Sequence, residues 1–131
     1  MIFLDTNIVS YYLKGNEEIT SKIKEAVENG ETIALSIINV YELLKGFAYK
    51  NNAALTKIFY DFLRYVKIVQ IDNNAVIEAA DIYANLRKNG KVIGDADILI
   101  ASIVIVNKGI LISNNTKHFK DIPNLKLDNW V

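Results

Sequence analysis

Four short apolar runs recur along the chain, and helical patterning fills the gaps between them. The runs are Ile2-Phe3-Leu4, residues 32–35, residues 66–71 and Ile110-Leu111-Ile112. Their length, β-branched content and polar or turn-forming boundaries mark buried strands. Strands alternating with helices argue for an α/β fold with a mainly parallel sheet, to which Leu125-Lys126-Leu127 offers a short fifth strand. Residues 8–13 form a first helix, stopped by Gly15, and residues 17–28 a second, with Ile19, Ile23 and Val27 spaced by four. Ser36 is placed to cap a helix reaching about residue 49, and residues 53–65 form another. Residues 74–89 carry Val76, Ala80, Tyr83 and Leu86 or Arg87 along one side, and Gly90 ends that helix. Residues 95–107 are apolar almost all round, as a helix buried in the interior must be.

No repeat or linker divides the 131 residues, and the single proline, Pro123, lies near the C-terminus, so residues 1–131 make one domain. Lys and Arg (15) balance Asp and Glu (15), which excludes a protein that grips nucleic acid by bulk charge, though not one with a local basic rim. The absence of cysteine excludes disulfides, thiolate metal sites and a cysteine nucleophile. With one histidine besides, any metal held here must be a hard cation on oxygen ligands. The opening apolar run meets Asp5 at once, too early for a signal-peptide core. The run at residues 98–106 falls far short of the roughly 20 residues of a membrane helix. The expectation is a soluble cytoplasmic protein with no membrane partner.

In a parallel α/β sheet, functional groups gather beyond the carboxyl ends of the strands. Strand one delivers Asp5, Thr6 and Asn7 there, strand two Ser36, and strand four Ser113, Asn114 and Asn115. The helix after strand two carries Glu42, and the buried helix opens with Asp95 and Asp97. Each acid has a plainer reading. Asp5 could cap the next helix, and Asp95 and Asp97 could complement a helix dipole, with Gly94-Asp95 as the cap itself. Glu42 lies about six residues into an apolar helix, too deep to serve the dipole. Carboxylates crowded together are driven to protonate unless a cation compensates, so several acids without His or Cys read as a Mg²⁺ or Mn²⁺ site.

These residues resemble a known family. Phe3-Leu4-Asp5-Thr6-Asn7 is similar to the first motif of PIN-domain nucleases, and Ser36-Ile37-Ile38-Asn39-Val40-Tyr41-Glu42-Leu43 to the second. Ile82–Arg87, Gly90 and Ile93-Gly94-Asp95-Ala96-Asp97-Ile98-Leu99-Ile100-Ala101 resemble the third, and the stretch from Leu111 to Phe119 the fourth. The four occur in order over nearly the whole chain, at a size similar to the VapC toxins of toxin–antitoxin pairs. The resemblance implies a three-layer α/β/α fold around a mainly parallel sheet of four to five strands. It implies that Asp5, Glu42 and Asp97 hold a metal, with Asp95 as accessory acid or cap. Where many relatives place a fourth acid, this sequence has Asn114 and Asn115, which bring no charge.

The implied activity is metal-dependent hydrolysis of RNA phosphodiesters, with Mg²⁺ or Mn²⁺ as cofactor. Thr6 and Asn7 would support Asp5, while Ser113, Asn114 and Asn115 would contact water or substrate. Lys45, Arg87, Lys91 and Lys117 stand close to the motifs and are the candidates for binding RNA; Tyr11, Tyr12, Tyr41 and Tyr49 could stack on bases or fill the core. His118, with no partner in sequence, reads as a surface or packing residue. The resemblance further implies a homodimer and a small VapB-type antitoxin. Alternatives are a PIN nuclease of RNA processing or decay without a toxin role, and a degenerate PIN fold kept for binding.

Overall fold

The computed structural model describes residues 1–131. Strand β1 (Ile2–Leu4) leads into α1 (Thr6–Leu13) and α2 (Glu17–Glu28), and β2 (Ile33–Ser36) into α3 (Ile37–Tyr49) and α4 (Ala53–Leu63). Then β3 (Lys67–Val69) precedes α5 (Asn73–Lys88) and α6 (Asp95–Val106), β4 (Ile110–Ile112) precedes the short α7 (Thr116–Phe119), and β5 (Lys126–Asp128) closes the chain. The five strands form one sheet in the order β3-β2-β1-β4-β5, every pair parallel. Phe3 sits opposite Ala34 on one side and Leu111 on the other.

Because alternate side chains point to opposite faces of a strand, each short strand serves two cores. Leu4, Ile33, Leu35 and Ile112 face α1 to α4, packing with Ile8, Ile19, Leu43 and Phe59. Phe3, Ala34 and Leu111 face the other way, against Ala79 and Ile82 of α5 and Ile100 and Ile103 of α6. The result is three layers, α/β/α, with α6 buried along most of its length: Ile98, Ile100, Ala101, Ser102, Ile103 and Val104 are all inaccessible. Ser102 satisfies its hydroxyl on Leu99 O at 2.8 Å, so the apolar helix carries no orphaned polar group.

Three expectations need correction. The stripe of α5 is Ala75, Ala79, Ile82 and Leu86, whereas Val76 (52% exposed) and Tyr83 (45%) point outward. Likewise α2 buries Ala26 in place of Val27. Strand three spans Lys67–Val69 within the expected 66–71, the three residues that pair with Ala34–Ser36 of β2.

The chain steps outward from β1 through β2 to β3, then returns to lay β4 on the opposite edge of β1. That reversal is the topological switch point, and the crevice it opens lies at the carboxyl ends of β1 and β4. Asp5 and Ser113 are the first residues beyond those two strands.

Candidate active site

Asp5 occupies the N-cap position of α1 with extended backbone, yet its side chain caps nothing. Only 4% exposed, the carboxylate turns inward across the crevice. Its Oδ1 accepts from Asn39 Nδ2 at 3.1 Å, and its Oδ2 accepts from Ser113 Oγ at 2.7 Å. The buried carboxyl group is held by two neutral donors and makes no ion pair with a Lys, Arg or His side chain.

Asn39 is the hub. Ser36, last residue of β2 and N-cap of α3, accepts from Asn39 N at 3.1 Å and donates its hydroxyl to Asn39 Oδ1 at 2.6 Å. That donation fixes which way the amide points. Nδ2 therefore faces Asp5 and also reaches Thr6 Oγ1 at 3.0 Å, and Thr6 donates onward to Glu42 Oε1 at 2.9 Å. Asp5 and Glu42, from β1 and α3, are thus fixed relative to each other through one buried amide. Ser113 adds β4, since its oxygen also accepts from Asn115 N at 2.9 Å.

Asp97, in the first turn of α6, completes the cluster at the crevice mouth. Its proton affinity is raised, first by burial and then by the charge of Asp5, and the His118 imidazole pulls it back. His118 Nδ1 stands 3.4 Å from Asp97 Oδ2. Glu42 is raised too: burial is again the largest cause, the Thr6 hydrogen bond opposes it, the charges of Asp5 and Asp97 add to it, and Lys45 opposes. The three acids therefore sense one another's charge across the crevice.

The remaining sequence-derived residues separate. Asp95 is exposed and lines a shallow groove with Ala80, Tyr83 and Leu99, on the α5 side of α6. Gly94 holds the cap position of that helix. Asn7 is partly buried and takes no part in the network. Asn114 is exposed and reaches Tyr11 Oη at 3.3 Å, and Asn115 opens α7. Lys45 lies over the Tyr41 ring at 5.2 Å, beside Glu42; Arg87 lies over Tyr83 at 5.1 Å, on α5. Lys91 and Lys117 line a concavity that includes Asp97. Tyr12 packs on Phe62 in the core, while Tyr49 stands almost fully exposed. Sequence reasoning missed Asn39 and the placement of His118. The available signal for Asn39 was a polar residue three places after a capping serine.

As placed, no three of the His, Asp and Glu side chains stand together closely enough to hold a metal ion. The donor set nonetheless fits a hard divalent cation: every donor is oxygen, and the crowding that raises Glu42 and Asp97 is what a cation would relieve. The one close basic contact is the His118 imidazole on Asp97.

A parallel three-layer α/β/α domain with carboxylates converging at its switch point has the architecture of a hydrolase. The PIN domain family model matches residues 2–125. The chain is 33% identical to ribonuclease VapC2 of Rickettsia felis over 128 residues, covering 97% of this chain and 96% of that one. It is 34% identical to ribonuclease VapC2 of Haemophilus influenzae over 134 residues, 98% and 96% of the two chains. Among solved structures, VapBC2 of Rickettsia felis bound to a DNA fragment from its promoter superposes with a TM-score of 0.93 at 33% identity, both chains covered completely. The chain belongs to the PIN-domain family, among the VapC ribonucleases.

Proposed function

We propose that the protein is a divalent-metal-dependent endoribonuclease, the toxin of a toxin–antitoxin pair. The observation that carries this reading is the joining of Asp5 and Glu42 through Asn39 and Thr6, with Asp97 close enough to feel Asp5's charge. Asp5, Glu42 and Asp97 would hold Mg²⁺ or Mn²⁺, with water and substrate oxygens completing its shell. The ion would supply Lewis acidity and charge neutralisation at the phosphate.

The chain's own groups divide the remaining tasks. Asn39 and Ser113 keep the Asp5 carboxylate from rotating. Thr6 occupies Glu42 Oε1, which leaves Oε2 free to accept a hydrogen bond from the attacking water and orient it. Asn115 holds Ser113 in place through its N–H. The amides of Asn114 and Asn115, standing where relatives resembling this chain often place an acid, add no charge; one tightly held ion fits this donor set better than two.

The relatives' pairing in VapBC complexes supports a small antitoxin as partner, and a homodimer belongs to the same reading. No helix is long and apolar enough to cross a membrane. An RNA substrate and a cytoplasmic setting complete the reading. The test is cleavage of a mixed RNA pool with Mg²⁺ or Mn²⁺, against EDTA and the near-isosteric Asp97→Asn variant checked for folding. Loss of cleavage in both controls is the expected result; cleavage surviving Asp97→Asn overturns the site.

A further inference from the structure

The candidate cations are not equally free to bind. Lys45 and Arg87 each lie over a tyrosine ring, at 5.2 and 5.1 Å. Beside Asp97, a concavity of about 580 Å³ opens between α7 and the loop that follows Gly90. That volume falls within the roughly 300–1,000 Å³ of ligand-binding clefts. Asp97 forms part of its wall, so it is continuous with the candidate active site. Its other charges are differently engaged. Lys91 Nζ is 3.2 Å from Asp121 Oδ1, and His118 leans on Asp97. Lys117 is exposed and has no acidic partner within 4.0 Å. Beside it, Val92 is 74% exposed, an aliphatic surface turned to water, with Ile93 partly buried next to it.

An unpaired ammonium and exposed aliphatic surface that line one concavity with Asp97 have the chemistry of a nucleotide seat. The ammonium takes a phosphate, and the apolar wall takes the face of a base or the ribose. A base can reach that wall only after leaving its stack, so the substrate must be single-stranded here. Resting on the ribonuclease reading, we infer that this concavity seats the unpaired nucleotide adjoining the scissile phosphate, its distal phosphate on Lys117 and its base against Val92 and Ile93. The Lys91–Asp121 pair walls the seat and leaves Lys117 as the anion contact. The Val92 and Ile93 side chains offer no hydrogen bond, so against these two residues a base is read by size more than by its edge, and preference at this position divides purine from pyrimidine.

Two measurements on the full chain decide it. The first is cleavage of single-stranded oligoribonucleotides by wild type, Lys117→Ala, Lys117→Arg, Val92→Trp and a control, Lys22→Ala, whose lysine lines a concavity with Ile2 at the amino end of β1. Lys117→Ala is expected to raise KM about 5- to 10-fold with kcat within 2-fold, and Lys117→Arg to restore it. Val92→Trp, which fills the seat, should change the preferred base beside the cut. The second is binding of a labelled single-stranded RNA in EDTA as salt is varied. Loss of one phosphate contact should lower the slope of log K against log salt by about 0.7. If wild type cleaves while Lys117→Ala keeps its KM, salt slope and cut sites, the seat is wrong and the nuclease reading stands. If wild type neither binds nor cleaves RNA, both fall.

Discussion

Replacing Asn39 by aspartate changes one buried atom from donor to acceptor and leaves shape almost untouched. In the native protein Nδ2 donates to Asp5 Oδ1 at 3.1 Å and to Thr6 Oγ1 at 3.0 Å, inside a site where Asn39 is 1% exposed. Asn39→Asp sets an oxygen against Asp5 at that distance. Two unit charges about 4 Å apart repel by about 4 kcal/mol at an effective dielectric constant near 20. The pair can escape by sharing one proton, as close carboxylate dyads do. Taking a proton onto a carboxyl of ordinary pKa near 4 costs about 1.4 kcal/mol for each pH unit above it, hence about 4 kcal/mol at pH 7. The two routes cost the same, so the variant should lose about 4 kcal/mol at neutral pH, or about 12–20 °C of melting temperature for a chain this long. The sign of the pH dependence follows. One carboxyl of the variant's pair has its pKa raised by folding, so the folded state binds the extra proton, and stability falls as pH rises above the unfolded value near 4. Lowering the pH from 7 to 5 should therefore recover about 2.5–3 kcal/mol relative to wild type. Urea unfolding in EDTA at both values measures it. A deficit below 1 kcal/mol at pH 7, or one equally large at pH 5, would refute the placement of Asn39 as the amide joining the two acids.

Three further outcomes are expected. Asp97→Asn should abolish cleavage yet stabilise the metal-free protein, by less than about 1 kcal/mol for so partly exposed a group. The raised proton affinity of Asp97 means the fold disfavours its ionised form, so this advantage should grow as pH rises through the carboxylate range, as calorimetry at pH 4 and 7 would register. Mn²⁺ at ten times its dissociation constant should stabilise the wild type by about 1.4 kcal/mol in a thermal scan, with EDTA reversing it and Asp97→Asn largely insensitive. Gly109→Ala would bring a Cβ within 2.7 Å of the Phe3 ring, which is 1% exposed and cannot retreat, and within 3.0 Å of Met1 O. Overpacking there should cost about 1–3 kcal/mol in denaturant unfolding, and an unchanged midpoint would contradict the packing of Phe3 under β4.

What the sequence made legible divides along a physical line. Strand order of appearance, helix limits to within a few residues and the interior position of α6 follow from periodicity, which is local. The stripes of α2 and α5 were misplaced because hydropathy favours Val27, Val76 and Tyr83, while close helix packing favours the smaller Ala26, Ala75 and Ala79. Side-chain size at an interface is decided by the partner element, which no window of sequence contains. The site divides in the same way. Glu42 and Asp97 stand out as charges in apolar helices, but Asn39 looks like an ordinary residue of a helix's first turn until β1 is laid beside it. Asp5 shows most clearly what contacts add. Asn16, Ser36, Asn52 and Asp72 hold N-cap positions and each accepts a backbone N–H in its helix's first turn. Asp5 holds the same position at α1 and accepts none. A residue type suited to capping that forgoes the cap bond, worth about 1 kcal/mol, and turns its carboxyl group into the interior is held by something else. Here that something is a pair of donors, Asn39 in the first turn of α3 and Ser113 just beyond the end of β4.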